Sequence, residues 1–389
     1  MNPRLKSYLL HGGLFLATLI TTTLSGAEWI YGRLFIPFDG MKTLGWTEFV
    51  AGFQFSVPFL AILTVHEFGH YFVARANQVR VTLPYYIPLW FGVGQSIGTL
   101  GAFIRIKDFI NSRRKYFDIG IAGPLAGFVL TVIVLWYGFT HLPPPEYIFS
   151  IHPEYAQYGL NYADFVYKDI PEGAVGIGHT LLFDFFANYV ADPARLPSPY
   201  EMIHYPYLLA GYLSLFFTAL NLIPIGQLDG GHILYALIGS RRFKWVAPAL
   251  FIAFVFYAGL GMFKPADFAV GTDDIFYERL GWFALYIGFL FLAFARIGDQ
   301  DGPGTGSLMT ALLVTLSVVA GQLALSWVMP NLEGYSGFLF FAFMLGRFLG
   351  VYHPETELQE PLDTKRKILG WLALVVFILC ASPKPFLLP

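Results

Sequence analysis

Residues 57–72 read VPFLAILTVHEFGHYF, an apolar stretch that contains two histidines and a glutamate. A helix of about 17 to 25 mostly apolar residues can cross a bilayer, and the longer stretch from Phe49 to Phe72 has that character. Ionisable side chains inside such a span are energetically costly and normally mark function. The fold and the chemistry of the chain are therefore both expected to centre on this segment.

The ionisable residues are His66, Glu67 and His70, in the pattern His-Glu-x-x-His. Residues four apart share one face of a helix, so both imidazoles can point at one ion, and Glu67 can reach a water beside it. The alternative is a buried polar cluster or a proton pathway. A soluble helix could place such residues on its solvated face, whereas lipid or protein surrounds this one, which favours a metal site.

The whole chain has the composition of a polytopic membrane protein. Of its 389 residues, 56% are hydrophobic and 13% are charged, and the mean hydropathy is +0.57, a balance that soluble chains rarely reach. The formal net charge of -2 gives no bulk basic surface, so we expect no nucleic-acid partner. The single cysteine, Cys380, allows no intrachain disulfide and no cysteine-rich zinc cluster.

Hydropathy predicts an all-α polytopic membrane protein, with about nine transmembrane helices in a single membrane domain, 1–389. A cleaved signal peptide is the alternative for the first helix, but its apolar part is long enough to span and no clear cleavage site follows. The predicted spans lie near Leu9–Ser25, Phe49–Phe72, Ile119–Phe139, Ile203–Ile223, Trp245–Met262, Leu280–Ala295, Leu308–Val328, Phe338–Val351 and Ile368–Ala381.

Basic residues predict the orientation, because Lys and Arg are enriched in short cytoplasmic loops. The acidic loop from His141 to Tyr200 falls on the other side, and the end of the second span that carries His66 faces the cytoplasm. No Arg- and Ser-rich transit segment precedes the first span, so we expect a bacterial inner membrane. With alternating spans, the following basic residues share the cytoplasmic side: Arg4, Lys6, Arg75, Arg80, Arg105, Lys107, Arg113, Arg114, Lys115, Arg241, Arg242, Lys244, Lys365, Arg366 and Lys367.

The segment 79–106 is neither a clean span nor a polar loop, because prolines and glycines alternate with large apolar residues. We expect a β-hairpin or small sheet that dips into the membrane beside protein, since irregular backbone is tolerated at that depth only when it is buried or lines a wet cavity. Its edge could pair with an unfolded substrate strand. A loop on the membrane surface is the alternative.

A catalytic zinc ion takes three protein ligands and keeps one position for water, so a third ligand must come from elsewhere in the chain. Residues 221–232, just after the fourth predicted span, read NLIPIGQLDGGH. Asp229 offers a carboxylate at the predicted depth of the two histidines, where proline and glycines break the helix. His232 is a competing ligand, and the N-cap of the next helix is the alternative role for Asp229.

The motif His66-Glu67-Phe68-Gly69-His70, followed by Asn221-x-x-Pro224-x-x-x-Leu228-Asp229-Gly230-Gly231, resembles the site-2 protease family, in the branch shared by bacteria and plastids. The resemblance implies a zinc metalloendopeptidase with one catalytic zinc ion, which cuts transmembrane proteins within or near their spans in a lipid bilayer. It implies that Asp229 is the third zinc ligand beside His66 and His70, that Glu67 is the general base, and that Asn221 holds substrate or the oxyanion.

The family core would cover 49–238, leaving 239–389 as accessory transmembrane helices. Within the core, residues 98–105 resemble the family's membrane-dipping sheet segment, and residues 120–127, which read GIAGPLAG, resemble its Gly-Pro-rich helix. Gly120, Gly123 and Gly127 of this helix can equally have a purely structural role instead of a functional one, because small residues let membrane helices pack closely.

Six other histidines have no spacing that indicates a ligand set, and we expect them to be ordinary surface or interfacial residues. A metal or solute transporter is the strongest rival function, because transporters also bind ions with buried His and Asp on broken helices. An inactive scaffold would have lost a ligand or the base, and none is missing. The six histidines are His11, His141, His152, His179, His204 and His353.

Overall fold

The computed structural model describes residues 2–36, 42–92, 96–171, 173–268, 274–298 and 305–388, which are mostly helical. The α-helices, in chain order, are α1 Pro3–Tyr31, α2 Trp46–Ala51, α3 Phe53–Ala76, α4 Arg113–Thr140, α5 Ile148–Ile151, α6 Tyr162–Val166, α7 Leu181–Tyr189, α8 Pro206–Leu222, α9 Asp229–Ile238, α10 Ser240–Ala258, α11 Asp274–Phe294, α12 Thr305–Val328, α13 Phe338–Met344 and α14 Thr364–Cys380. The strands are β1 Tyr85–Pro88, β2 Thr99–Phe103, β3 Gly176–Ile177 and β4 Phe386–Leu387.

The chain forms two compact units. The first contains residues 1–110, 118–221 and 371–389, and the second contains residues 111–117 and 222–370. The first unit holds the His-Glu-x-x-His segment, the hairpin and most of α4. The second holds the Leu-Asp-Gly-Gly segment and helices α9 to α13. The boundary of the catalytic core at residue 238 stays a prediction.

Five helices within the described residues are long and apolar enough to cross a membrane. The structure therefore supports a helical membrane protein, but not the nine spans expected from hydropathy. The five candidates are Arg4–Tyr31, Trp46–Ala76, Arg113–Thr140, Phe276–Phe294 and Ser307–Val328.

The other four predicted spans fall on helices that are short or charged. Helix α8 has 17 residues and a length of about 26 Å, below the roughly 30 Å of the hydrocarbon core. Helix α14 also has 17 residues, and α13 has seven before it continues as a π-helical turn. Helix α10 begins with three basic residues among its first five. Hydropathy alone counted flanking loop residues as part of these spans.

The hairpin predicted within 79–106 is confirmed. Strands β1 and β2 pair antiparallel, with Tyr85 opposite Phe103 and a bulge between Tyr86 and Pro88. Two hydroxyls attach the hairpin to the neighbouring helices of the first unit: Thr21 of α1 donates to the carbonyl of Gly98 at 2.7 Å, and Thr64 of α3 lies 2.8 Å from the hydroxyl of Tyr86.

Gly98 allows this close approach of the hairpin to α1. Its φ of 84° is in the left-handed region, and a Cβ there would stand 2.3 Å from Cα of Thr22. Gly98, one of the glycines on which the hairpin prediction rested, is thus required sterically at this position. The hairpin lies against the helix that carries the two motif histidines.

Candidate metal centre

The structure brings His66 and His70 together on one face of α3. Their Nε2 atoms lie 3.1 Å apart, and the ring planes are inclined at 74°. Both side chains and that of Glu67 are buried, at 5%, 7% and 5% exposure respectively. The i, i+4 spacing on the helix produces this arrangement, as the sequence predicted.

A backbone carbonyl orients the ring of His70. Its Nδ1 lies 2.7 Å from the carbonyl oxygen of Ile119 in α4, so Nδ1 carries the proton and donates. The lone pair of the neutral ring is then on Nε2, the atom that faces His66. Histidine ligands of metals are typically fixed in this way, because a hydrogen bond to the other ring nitrogen selects the tautomer and the ring orientation.

Glycines let α4 approach both histidines. A Cβ on Gly123 would stand 2.2 Å from His70 Nε2, and one on Gly127 would stand 3.2 Å from Cβ of His66. On the other helix, a Cβ on Gly69 would stand 2.7 Å from the carbonyl oxygen of Ala122. The structural and functional explanations of these glycines therefore coincide. The missing side chains let α3 and α4 pack closely, and they also leave the histidine nitrogen atoms unobstructed.

The histidine pair fits a zinc ion. With Zn–N bonds of 2.0–2.1 Å and tetrahedral geometry, two nitrogen ligands lie about 3.3 Å apart. The observed separation of 3.1 Å agrees with that value. Imidazole nitrogen with a carboxylate oxygen is also a donor set that zinc accepts in catalytic sites.

The remaining predicted site residues lie on α8 and α9. Asn221 is in the last turn of α8, in the first unit. In the second unit, Asp229 is the first residue of α9, and Leu228 occupies the N-cap position without a side-chain hydrogen bond to the helix. Asp229 is thus not the N-cap. The carboxylate still lies at the positive end of the helix dipole, which stabilises its ionised form.

Tight backbone packing explains the glycines around Asp229. A Cβ on Gly230 would stand 2.0 Å from the carbonyl oxygen of Leu222, and one on Gly231 would stand 2.3 Å from that of Gly226. Gly226 itself has a φ of 59°. The turn between residues 222 and 231 therefore folds back on itself at distances that only glycine permits, which fixes the place where α9 begins.

His232, the competing ligand, lies in the same unit as His353. Its Nδ1 is 2.8 Å from Nε2 of His353, and Tyr116 stacks on its ring with centroids 5.1 Å apart. His353 is buried, so the expectation that it is an ordinary surface or interfacial residue is wrong. The two histidines are 121 residues apart in the chain, so no local sequence pattern could predict their contact.

The same expectation is wrong for two further histidines. His11 is buried in α1, where Nδ1 lies 2.9 Å from the carbonyl oxygen of Pro84 at the start of the hairpin. His204 is also buried, and half-buried His152 lies beside it with their Nε2 atoms 3.3 Å apart. His141 and His179 are exposed, as expected.

Sequence reasoning missed a second cluster of ligand-type residues, formed by His152, Glu201 and His204. The i, i+3 spacing of Glu201 and His204 was the available signal, because residues three apart share a face of a helical turn. His152 is 49 residues earlier in the chain than Glu201, and no local pattern joins them.

A polytopic membrane protein with a buried histidine pair, one ring of which is oriented by a backbone carbonyl, and an adjacent glutamate belongs to the class of membrane-embedded metal proteins. Residues 54–263, more than half of the chain, match the model of peptidase family M50. The chain belongs to this family, the site-2 protease family of intramembrane zinc metalloproteases.

Three relatives illustrate the similarity. The chain is 27% identical over 289 residues to probable zinc metalloprotease EGY2, chloroplastic, of Oryza sativa subsp. indica, covering 70% of this chain and 47% of that protein. It is 28% identical over 182 residues to probable zinc metalloprotease EGY1, chloroplastic, of Arabidopsis thaliana, covering 47% and 29%. It is 32% identical over 105 residues to a protein of the bacterium Xylella fastidiosa, covering 21% and 24%.

The chain thus spans about half the length of the rice relative and less of the other two. No solved structure matches it significantly.

Proposed function

We propose that this chain is an intramembrane zinc metalloprotease that hydrolyses peptide bonds within or near the transmembrane segments of other membrane proteins. The observation that carries the proposal is the pair of buried Nε2 atoms, 3.1 Å apart, on a span-length helix with Glu67 beside them. Membership of peptidase family M50 and the relatives named as zinc metalloproteases support the reaction and the metal.

The proposed zinc ligands are His66, His70 and Asp229. Two imidazoles and one carboxylate complete the three-ligand set of a catalytic zinc ion and leave its fourth position to water. Asp229 is the candidate because it is the acidic residue of the Leu-Asp-Gly-Gly motif and starts a helix whose position is fixed by glycines. When bound, zinc would supply Lewis acidity for the attacking water and for the peptide carbonyl.

Glu67 is the proposed general base and acid. Its carboxylate takes a proton from the attacking water and returns it to the leaving nitrogen, so one side chain serves both halves of the reaction. Burial of Glu67 keeps bulk water away and strengthens these interactions. The amide of Asn221 donates a hydrogen bond to the developing oxyanion, a role that preorganised donors typically fill.

The hairpin is the proposed guide for substrate. Leu100 and Phe103 of β2 are exposed, at 60% and 48%, and β2 is an edge of a two-stranded sheet. An unwound substrate segment could add to this edge through its backbone. The hydrogen bond between Thr64 and Tyr86 ties the hairpin to the helix that bears Glu67, which supports delivery of the added strand towards that helix.

We place the active site towards the cytoplasmic side of a bacterial inner membrane. Arg75 and Arg80, which follow the His-Glu-x-x-His segment, support the cytoplasmic side through the enrichment of basic residues there. The similarity to a bacterial protein supports the bacterial inner membrane. The alternative is a plastid membrane, because other relatives are named as chloroplastic. Helix α8 is proposed to cross as a short, apolar sixth span.

Zinc analysis of the purified chain tests the ligand assignment. His70→Gln and Asp229→Asn are each expected to lower the zinc content by one equivalent relative to wild type, whereas Glu67→Gln keeps the wild-type content. Asp267→Asn, an acidic residue of the second unit paired with Arg279, is the control and should lose none. Retention of full zinc by Asp229→Asn would remove Asp229 from the ligand set.

A further inference from the structure

The segment between α4 and α8 contains a second group of converging ligand atoms. His152 Nε2, His204 Nε2 and Glu201 Oε2 form a triangle with sides of 3.3, 3.5 and 3.9 Å. All three residues belong to the first unit, and the group uses none of the residues of the proposed catalytic centre. The histidine nitrogens are separated by about the same distance as those of His66 and His70.

Both rings of this group present lone pairs to one another. Nδ1 of His204 lies 2.8 Å from the carbonyl oxygen of Trp29 and 3.0 Å from that of Ile30, so it carries the proton. Nδ1 of His152 lies 3.0 Å from the carboxylate of Glu154 and is likewise a donor. In the neutral rings, the lone pair of each Nε2 then points into the triangle, and both would bind a cation placed between them.

Glu201 adds a carboxylate to the same point. Its side chain is completely buried, and Oε1 accepts a hydrogen bond from Tyr167. Oε2, the oxygen inside the triangle, accepts no hydrogen bond from the described part of the chain. A buried carboxylate oxygen without a partner is costly, and a bound cation is one of the few groups that can compensate it.

Hydrogen bonds around the triangle follow the pattern of an outer shell around a metal. A carboxylate holds one histidine, backbone carbonyls hold the other, and a tyrosine hydroxyl holds the ligand carboxylate, which together fix tautomers and orientation.

We propose that His152, Glu201 and His204 bind a second divalent metal ion of the zinc class, with a structural role. Two imidazoles and one carboxylate match the ligand preference of zinc, and a tetrahedral ion places its ligands about 3.3 Å apart. The side chain of His152 is 26% accessible, so water can reach the group as a further ligand.

The ion would hold three separate parts of the first unit together. His152 lies between α5 and the following 3-10 turn, Glu201 and His204 lie directly before α8, and the carbonyls that hold His204 belong to the last residues of α1. A structural ion contributes its binding free energy to folding, because the unfolded chain has no preformed site. The ion is therefore expected to order the segment between α4 and α8.

The two proposed metal sites lie near opposite ends of α4. His70 contacts Ile119, whereas Gly138 packs against Leu208, four residues after His204. Ile119 and Gly138 are separated by about 28 Å along the helix, close to the roughly 30 Å of the hydrocarbon core. The second ion is too far away to take part in catalysis at Glu67, so its role is separate from the proposed function.

Zinc stoichiometry of the full chain in detergent, loaded with Zn²⁺ and freed of unbound ion, tests the proposal. Wild type is expected to hold two zinc ions per chain. Glu201→Gln and His152→Gln should each hold one, and the double variant His66→Ala/His70→Ala should also hold one. His179→Gln is the matched control, an exposed histidine in the same segment beside Asp184, and should hold two.

Several results would overturn the second site. The first is that wild type holds one zinc ion and the His66→Ala/His70→Ala variant holds none. The second is that Glu201→Gln and His152→Gln hold as many zinc ions as wild type. His152→Gln is included because its partly exposed position tolerates substitution better than that of Glu201. If the catalytic-site proposal alone were wrong, one zinc ion would remain in the His66→Ala/His70→Ala variant and disappear in Glu201→Gln.

Hydrogen exchange gives a readout that is independent of counting ions. Removal of zinc from wild type with a chelator should raise amide exchange in residues 148–166 and 198–205. The same treatment of Glu201→Gln should change exchange in these segments little, because that variant already lacks the ion. Equal changes in the two proteins would contradict a structural role.

Discussion

A Cβ atom on Gly123 would stand 2.2 Å from Nε2 of His70, which is a proposed metal-binding atom. The ring of His70 cannot turn away without losing the hydrogen bond between its Nδ1 and the carbonyl of Ile119. Helix α4 thus has two effects on one ligand: its backbone orients the ring, and its missing side chain leaves space for the ion. The Gly-Pro-rich segment is therefore part of the proposed metal centre.

Gly123→Ala is expected to lower zinc affinity at this centre by about 10- to 100-fold or more, the range typical of changes around metal ligands. Proteolysis should fall with it, while the second zinc site is unaffected. Titration with a zinc-buffered chelator measures the affinity. Gly281→Ala is the control, because this helix glycine has no atoms within 4 Å of its added Cβ. Unchanged affinity in Gly123→Ala would contradict the tight contact.

Gly230→Ala should destabilise the turn before α9. The added Cβ would meet the Leu222 carbonyl oxygen at 2.0 Å, and the contact can be relieved only if the backbone shifts, because the oxygen is backbone and the Cβ is fixed to Cα. Overpacking of this kind costs about 1–3 kcal/mol, seen as a lower Tm. Gly288→Ala, in open space on α11, should instead stabilise by roughly 0.5–1 kcal/mol, because Ala is the better helix former. Equal Tm values for the two variants would contradict this account.

Thr64 and Tyr86 should be energetically coupled. Their hydroxyls are 2.8 Å apart, and this hydrogen bond joins α3 to β1. A double-mutant cycle with Thr64→Val and Tyr86→Phe is expected to give a coupling free energy of about 0.5–1.5 kcal/mol, the usual net value of one hydrogen bond. Chemical unfolding in detergent provides the four stabilities. Strict additivity would mean that the hairpin is not attached to α3 through this pair.

Substrates with helix-breaking residues near the scissile bond should be cleaved faster than substrates with a continuous helix. A helical peptide bond is hydrogen-bonded and sterically covered, so it must unwind before it can add to β2 or reach Glu67. Replacing Gly or Pro in a substrate span with Leu should lower the cleavage rate several-fold. The test is to measure the cleavage rates of the original and the Leu-substituted substrate in the same detergent. Equal rates would exclude unwinding of the substrate helix as a barrier to cleavage.

Local patterns were sufficient to predict α3 and the hairpin. The spacing of His66 and His70 determines their common face once the helix forms, and Gly92, Gly98 and Gly101, which all have positive φ, lie in or between the paired strands β1 and β2. Pro224 and the following glycines predicted a break after α8, but α9 already begins at Asp229 and includes Gly230 and Gly231.

Features that depend on long-range packing could not be read from the sequence. His204 reaches the carbonyls of Trp29 and Ile30 across more than 170 residues, and its lack of ligand spacing led to the expectation of a surface or interfacial residue. The count of spans failed for a related reason: a sliding average does not detect that residues 202–204 form a 3-10 turn outside α8, or that α10 begins with basic residues.

The most direct test of the proposed activity is a mass-spectrometric survey of new protein termini in membranes from cells that express wild type or Glu67→Gln. Loss of a general base typically lowers the rate by about 10²- to 10⁴-fold, so the variant is expected to produce almost no cleavage while retaining zinc. We predict new termini within or beside transmembrane segments with wild type alone. Identical termini with a folded, zinc-loaded Glu67→Gln variant would contradict intramembrane proteolysis by this chain.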